Sequence, residues 1–114
     1  MNPFFVHQDK DRKDHIYIAG PMTGLPEYNF PAFFAAAADL TDKGYLVHNP
    51  ADHGLVEGAG RNDYLRYDVR ELMLCEAIYL LPGWSDSAGA RFELTLARTF
   101  QMQILFAPGA ELAP

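Results

Sequence analysis

Cysteine occurs once, at Cys75, which excludes an internal disulfide and any cysteine-based zinc site. The four histidines, His7, His15, His48 and His53, show no HxxxH or comparable ligand spacing, so no metal site is expected. Basic residues are also short: 9 Lys and Arg against 15 Asp and Glu give a formal charge of −6. That balance argues against a nonspecific hold on a nucleic-acid polymer or an anionic membrane, since both need a basic surplus. It leaves room for a local anion pocket. No apolar run approaches the roughly 20 residues that cross a bilayer. The first 14 residues carry charges where a secretory leader would have an apolar core. A cytoplasmic protein with no membrane partner is the expectation.

What is present is enough for one domain and too short for two. The chain has 114 residues, 49% of them apolar and 13% aromatic. Residues 1–14 read as an N-terminal arm, with Phe4, Phe5 and Val6 ahead of the charge run HQDKDRKD and in need of cover, for which a neighbouring subunit is one place. His15 to Ala19 reads as a buried strand ended by Gly20-Pro21-Met22-Thr23-Gly24. From Asn29 to Lys43 the spacing predicts a helix, with Asn29 as N-cap, Pro31 in the first turn and Gly44 just past the end. Tyr45 to His48 forms a second strand, Asp63 to Glu76 a helix, Ala77 to Leu81 a third strand, Ser87 to Gln101 a helix, and Gln103 to Phe106 a fourth strand. The domain therefore spans 15–106, with a Pro/Gly/Ala tail over 107–114.

Strand and helix alternate throughout. This order predicts a parallel sheet of about four strands with helices on both faces, a small Rossmann-like (flavodoxin-like) three-layer α/β sandwich. Ligands in such sheets bind beyond the carboxyl ends of the strands. Three irregular loops gather there: GPMTG, NPADHG and PGWSDS.

Two acids stand on the wrong faces of their helices. At about 100° per residue, Ala90, Phe92, Leu94, Leu96, Ala97 and Phe100 form a broad apolar arc, and Glu93 falls in its middle. A carboxylate there is costly unless it is paired or lines a cavity. Ser87 as N-cap leaves Glu93 beyond the first turn, where the benefit from the macrodipole fades. In the preceding helix Asp68 shares the inward arc of Leu65, Val69, Leu72, Met73 and Cys75, beside Tyr64. Taken alone, Asp68 is equally a structural acid bonded to a loop amide or an Arg. Two inward acids on consecutive helices together point to a site.

Ser87 and Gly89 open the last helix, where free amides and the dipole favour an anion; an ordinary Ser cap is the simpler use of the same residues. Trp84 is read on the loop rim, either stacking on a base or covering the core. His48 and His53 flank the Gly-rich stretch, within reach of a substrate, but nothing distinguishes them from surface residues.

Three blocks, IYIAGPMTG from Ile16, YDVREL from Tyr67 and SAGARFE from Ser87, resemble the nucleoside 2-deoxyribosyltransferase-like superfamily. The nearest likeness is to an uncharacterised phage- or prophage-associated branch. The resemblance implies that Glu93 attacks C1′ of the sugar, that Asp68 handles the base and its proton, and that Tyr17 sets a hydroxyl near the nucleophile. It implies substrate contacts from Gly20, Pro21, Met22 and Gly24 of the first loop, where the glycines let the backbone approach the ligand. Ser87 and Gly89 resemble the Ser-x-Gly loop of the deoxynucleoside 5′-monophosphate N-glycosidases, which holds phosphate. The implied partner is a small-molecule nucleotide or nucleoside, with no cofactor, in a homodimer or higher homo-oligomer. The same fold also serves noncatalytic nucleotide binding.

Overall fold

Four short strands run parallel in the computed structural model, which describes residues 14–110. The elements are β1 (His15–Ala19), α1 (Phe30–Asp42), β2 (Leu46–His48), α2 (Arg61–Leu72), β3 (Ala77–Leu80), α3 (Ala88–Thr99) and β4 (Gln103–Phe106). Three 3₁₀ turns, Pro26–Asn29, Pro50–His53 and Trp84–Asp86, precede the three helices. The strand order is β2-β1-β3-β4, all parallel, with Tyr17 opposite His48 on one side and Ile78 on the other. This is the expected three-layer α/β sandwich. The aromatic arm at Phe4 to Val6 and the last four residues lie outside the described residues. No helix among the described residues is long and apolar enough to cross a membrane.

β1 and β3 are buried at almost every position, as central parallel strands are. Ile16, Ile18, Phe33, Leu40, Leu72, Ile78 and Leu80 make the core, each at most 2% exposed. On α3 the buried stripe is narrower than the apolar arc in the sequence: Ala90, Glu93, Leu94 and Ala97. Phe92 and Phe100 lie outside it, 47% and 61% exposed. The alanines let the helix approach the sheet closely, which leaves no room for the large rings and puts Glu93 at the centre of the contact.

Other boundaries move for local reasons. α2 begins at Arg61, where Asp63 Oδ2 accepts the Gly60 N–H, and it ends at Leu72. It cannot run to Glu76, because the Glu76 amide already donates to His15 O at the start of the sheet ladder. Asn29 is not a side-chain cap. Its φ is +61°, and its Nδ2 donates to Pro21 O instead, tying the start of α1 to the first loop. Glu27, Tyr28 and Asn29 are three successive non-glycine residues in the left-handed region, each costing on the order of 1 kcal/mol.

Trp84 takes the second of its two expected uses and covers the core. It is 8% exposed, not on the rim, and its Nε1 donates to Ala110 O at 2.9 Å while its ring meets Phe106. Gly83, at φ +87°, turns the loop so that the indole covers the core and anchors the segment after β4. Ala107 and Ala110 are accordingly buried, so the beginning of the tail is packed.

Candidate active site

The sheet order places a switch point between β1 and β3: from β1 the chain moves to one edge, and from β3 it continues to the other. Ligands of open α/β sheets bind at such a point, beyond the carboxyl ends of the strands. A solvent-open cleft of about 590 Å³ lies there, lined by residues 17–23, by Arg61, Tyr64 and Asp68 of α2, and by residues 86–90, Phe92 and Glu93 around the start of α3.

Tyr17 and Glu93 form its floor. Tyr17 projects from β1 toward α3, and its hydroxyl donates to Glu93 Oε2 at 2.6 Å. Both are nearly inaccessible, at 1% and 6% exposure. Burial pushes the Glu93 carboxyl up to about 8, opposed by the Tyr17 hydrogen bond and reinforced by Asp68. Burial likewise raises Tyr17 well above the usual phenol range, followed by the charges of Glu93 and Asp68. Asp68 stands on the α2 wall. Its carboxyl is raised to about 6 by burial, held back by His53. The two acids that hydropathy singled out therefore line one cleft, and the charge of Asp68 adds to the rise at Glu93.

The loop residues divide. Gly20, Pro21 and Met22 line the cleft, whereas Gly24 and Trp84 do not. At Gly20 a Cβ would come within 2.9 Å of Leu81 Cβ, so the close approach there is to a core side chain. Gly24 lies at φ +84° with open space around it and serves the turn conformation. Ser87 caps α3, its Oγ accepting the Ala90 N–H at 3.1 Å. The first amides of the helix, those of Ala88 and Gly89, have no intrahelical acceptor. At Gly89 a Cβ would meet only Ser87 Oγ, at 3.9 Å, so the space above it is open. Arg91 is drawn away from the cleft, with Nη1 donating to Ser85 O.

Two residues escape the sequence pattern: Arg61 on the cleft wall and, behind Asp68, His53. The His53 Nε2 lies 3.3 Å from Asp68 Oδ1. The Pro50–His53 turn brings it there, fixed by Asn49, whose Oδ1 accepts the Ala51 N–H. An Asn-Pro pair followed by an acid and a histidine was the available signal, but the Gly-rich stretch after it hides where the turn points. No group of three His, Cys, Asp or Glu side chains among the described residues is arranged to hold a metal ion.

The family model "Domain of unknown function (DUF4406)" matches residues 14–106, and the chain belongs to that family. No curated protein matches the sequence. Among solved structures, the chain is similar in fold to a 2-desoxiribosyltransferase from Leishmania mexicana, with a TM-score of 0.65 and 22% sequence identity. The match covers 82% of this chain and 63% of that one, so this chain spans less than two thirds of its neighbour's length.

Proposed function

We propose that this DUF4406 member cleaves or transfers the N-glycosidic bond of a nucleoside 5′-monophosphate or nucleoside. The observation that carries the reading is Glu93: a buried carboxylate, braced by Tyr17, on the floor of a cleft that Asp68 shares. In this reading Glu93 Oε attacks the anomeric carbon as the C–N bond breaks, forming a glycosyl ester. Asp68 gives the departing base its proton, then takes one from the acceptor that resolves the ester. Water as acceptor gives a hydrolase, and a second base gives a transferase. The cleft volume lies in the range of small-molecule sites, about 300–1,000 Å³. The fold shared with the desoxiribosyltransferase is consistent with this chemistry.

For the 5′ end, the Ser87 hydroxyl, the open amides of Ala88 and Gly89, and Arg61 favour an anionic phosphate. Asp86, also on the cleft wall, opposes it and suits a free hydroxyl. We place the monophosphate first because four donor groups outweigh one acid, with the nucleoside as its competitor.

A second reading, nucleotide binding without turnover, draws on the ionisation order. With Glu93 near 8 and Asp68 near 6, about one molecule in ten carries each group in the state the reaction needs at pH 7. A resting site of that kind suits binding; catalysis requires the proton to move. Incubation with a panel of nucleosides and 5′-monophosphates, with chromatography of free base, separates the two. Base release that disappears in Glu93→Gln supports the enzyme, and binding without release in both proteins sinks it.

A further inference from the structure

We propose that His53 is a positioning residue that shares one proton with Asp68 and holds that carboxyl with its other oxygen available to the cleft. This inference rests on the reading above for its catalytic consequence, but the proton-sharing pair stands on geometry alone.

The His53 ring is fixed on three sides. Nδ1 lies 2.7 Å from Gly54 O. A carbonyl only accepts, so Nδ1 carries hydrogen and Nε2 is the bare nitrogen of the neutral ring. Tyr64 and Tyr67 pack on the ring, with centroids at 5.1 and 5.6 Å, the second edge-on. Nε2 is thereby held 3.3 Å from Asp68 Oδ1, within ion-pair distance though not aligned as a hydrogen bond. Both atoms are buried, and neither has a hydrogen-bond partner elsewhere. A neutral His53 with hydrogen on Nδ1 would face an ionised Asp68 as acceptor against acceptor, leaving two buried polar atoms unsatisfied. One proton between Nε2 and Oδ1 removes the conflict, whether it resides on the ring or on the carboxyl.

The pair also sits between two spaces. Asp68 lines the large cleft, together with Tyr17, Arg61 and Glu93. His53 lines a smaller cavity of about 250 Å³, with His48, Asp52, Tyr67 and Glu71. Arg70 stacks over the far side of Tyr67. Both side chains are only partly exposed, 17% and 16%, and Asp68 opens on the cleft, so the proton the pair holds can pass to a ligand there.

In the reaction, Asp68 passes the shared proton to the base nitrogen as the C–N bond breaks, and the electron pair of that bond leaves with the base. His53 remains neutral, with Nδ1–H still on Gly54 O. When water attacks the glycosyl ester on Glu93, its oxygen bonds to the anomeric carbon, the Glu93 carboxylate is released, and the water's proton returns to the pair. Charge and atoms balance across the two steps.

The test uses the full chain, isotope-labelled, as wild type, His53→Leu (no donor) and His53→Gln (a donor that does not titrate). Circular dichroism checks that each variant is folded. Carbon-13 NMR of the Asp68 carboxyl is expected to titrate about one unit or more higher in His53→Leu, because the cationic partner is lost. Nitrogen-15 shifts of the wild-type ring should show Nδ1 protonated at every pH. Base release should show kcat about tenfold lower in His53→Leu, short of the full 10²–10⁴ of a general acid, with KM within about twofold and partial recovery in His53→Gln. An Asp68 titration unchanged in both variants overturns the inference. If wild type releases no base at all, the function above fails while the NMR titration still decides whether the pair exists.

Discussion

Two carboxylate–histidine pairs stand one turn apart on α2, and they are built to opposite ends. Glu71 accepts from His48 Nδ1 at 3.1 Å, and His48 Nε2 meets His15 Nδ1 at 2.8 Å. With hydrogen on Nδ1 of both rings, that chain satisfies the carboxylate and His48 using no added proton. Asp68 and His53 instead turn two acceptors toward each other and require one. The first pair ties α2 to the sheet and lines the smaller cavity. The second opens on the cleft. Residue type alone does not tell these two acids apart; the hydrogen-bond inventory around each does.

The largest effect should come from breaking the two pairs in turn. Asp68→Asn is expected to lower base release by about 10²–10⁴, the usual contribution of a positioned acid. Glu71→Gln, one turn along the same helix, should leave the rate within about twofold and cost about 1 kcal/mol of stability through a weakened bond to His48. Parallel kinetics and urea melts of the two variants check this, and comparable rate losses in both would dissolve the distinction.

A second variant sharpens it from the stability side. Glu93 titrates near 8 when folded, against an ordinary 4.5, so the folded state holds a proton that the unfolded chain releases. Its contribution to stability is therefore fully present below about pH 4.5, declines as pH rises, and is lost by about pH 8 at up to ~1.4 kcal/mol per pH unit. Glu93→Gln removes the titration. Its gain in Tm over wild type should widen between pH 5 and 8. A gain independent of pH would show that Glu93 ionises in the fold as easily as in the open chain.

The smallest effects distinguish closed from open at the glycines. Gly20→Ala forces a Cβ against Leu81 and should destabilise by about 1–3 kcal/mol, through packing. Gly89→Ala meets no neighbour closer than 3.9 Å, so its Tm should hold while KM for the monophosphate rises. Differential scanning calorimetry with steady-state kinetics reads both.

Much of this was legible in the chain itself. The alternation of strand and helix implied a parallel sheet, and β4 falls on the residues expected for it, Gln103 to Phe106. Glu93 and Asp68 stood out because a carboxylate on an apolar face has few structural uses. Three things were hidden. Phe92 and Phe100 read as core because hydropathy is blind to how closely the alanines Ala90 and Ala97 draw the helix to the sheet. Trp84 read as rim because its partner, Ala110 O, lies after β4 and no local pattern joins them. His53 reaches Asp68 across 15 positions through an irregular stretch, where only the turn at Asn49 and Pro50 sets its direction.

The central claim is that Glu93 is the nucleophile, and trapping tests it most directly. A 2′-fluorinated nucleoside 5′-monophosphate, whose fluorine disfavours the oxocarbenium-like transition state, should slow resolution of the glycosyl ester. Peptide mapping by mass spectrometry is then expected to find the sugar phosphate on Glu93, with no adduct in Glu93→Gln. An adduct on another residue, or base release from Glu93→Gln at the wild-type rate, would contradict the account.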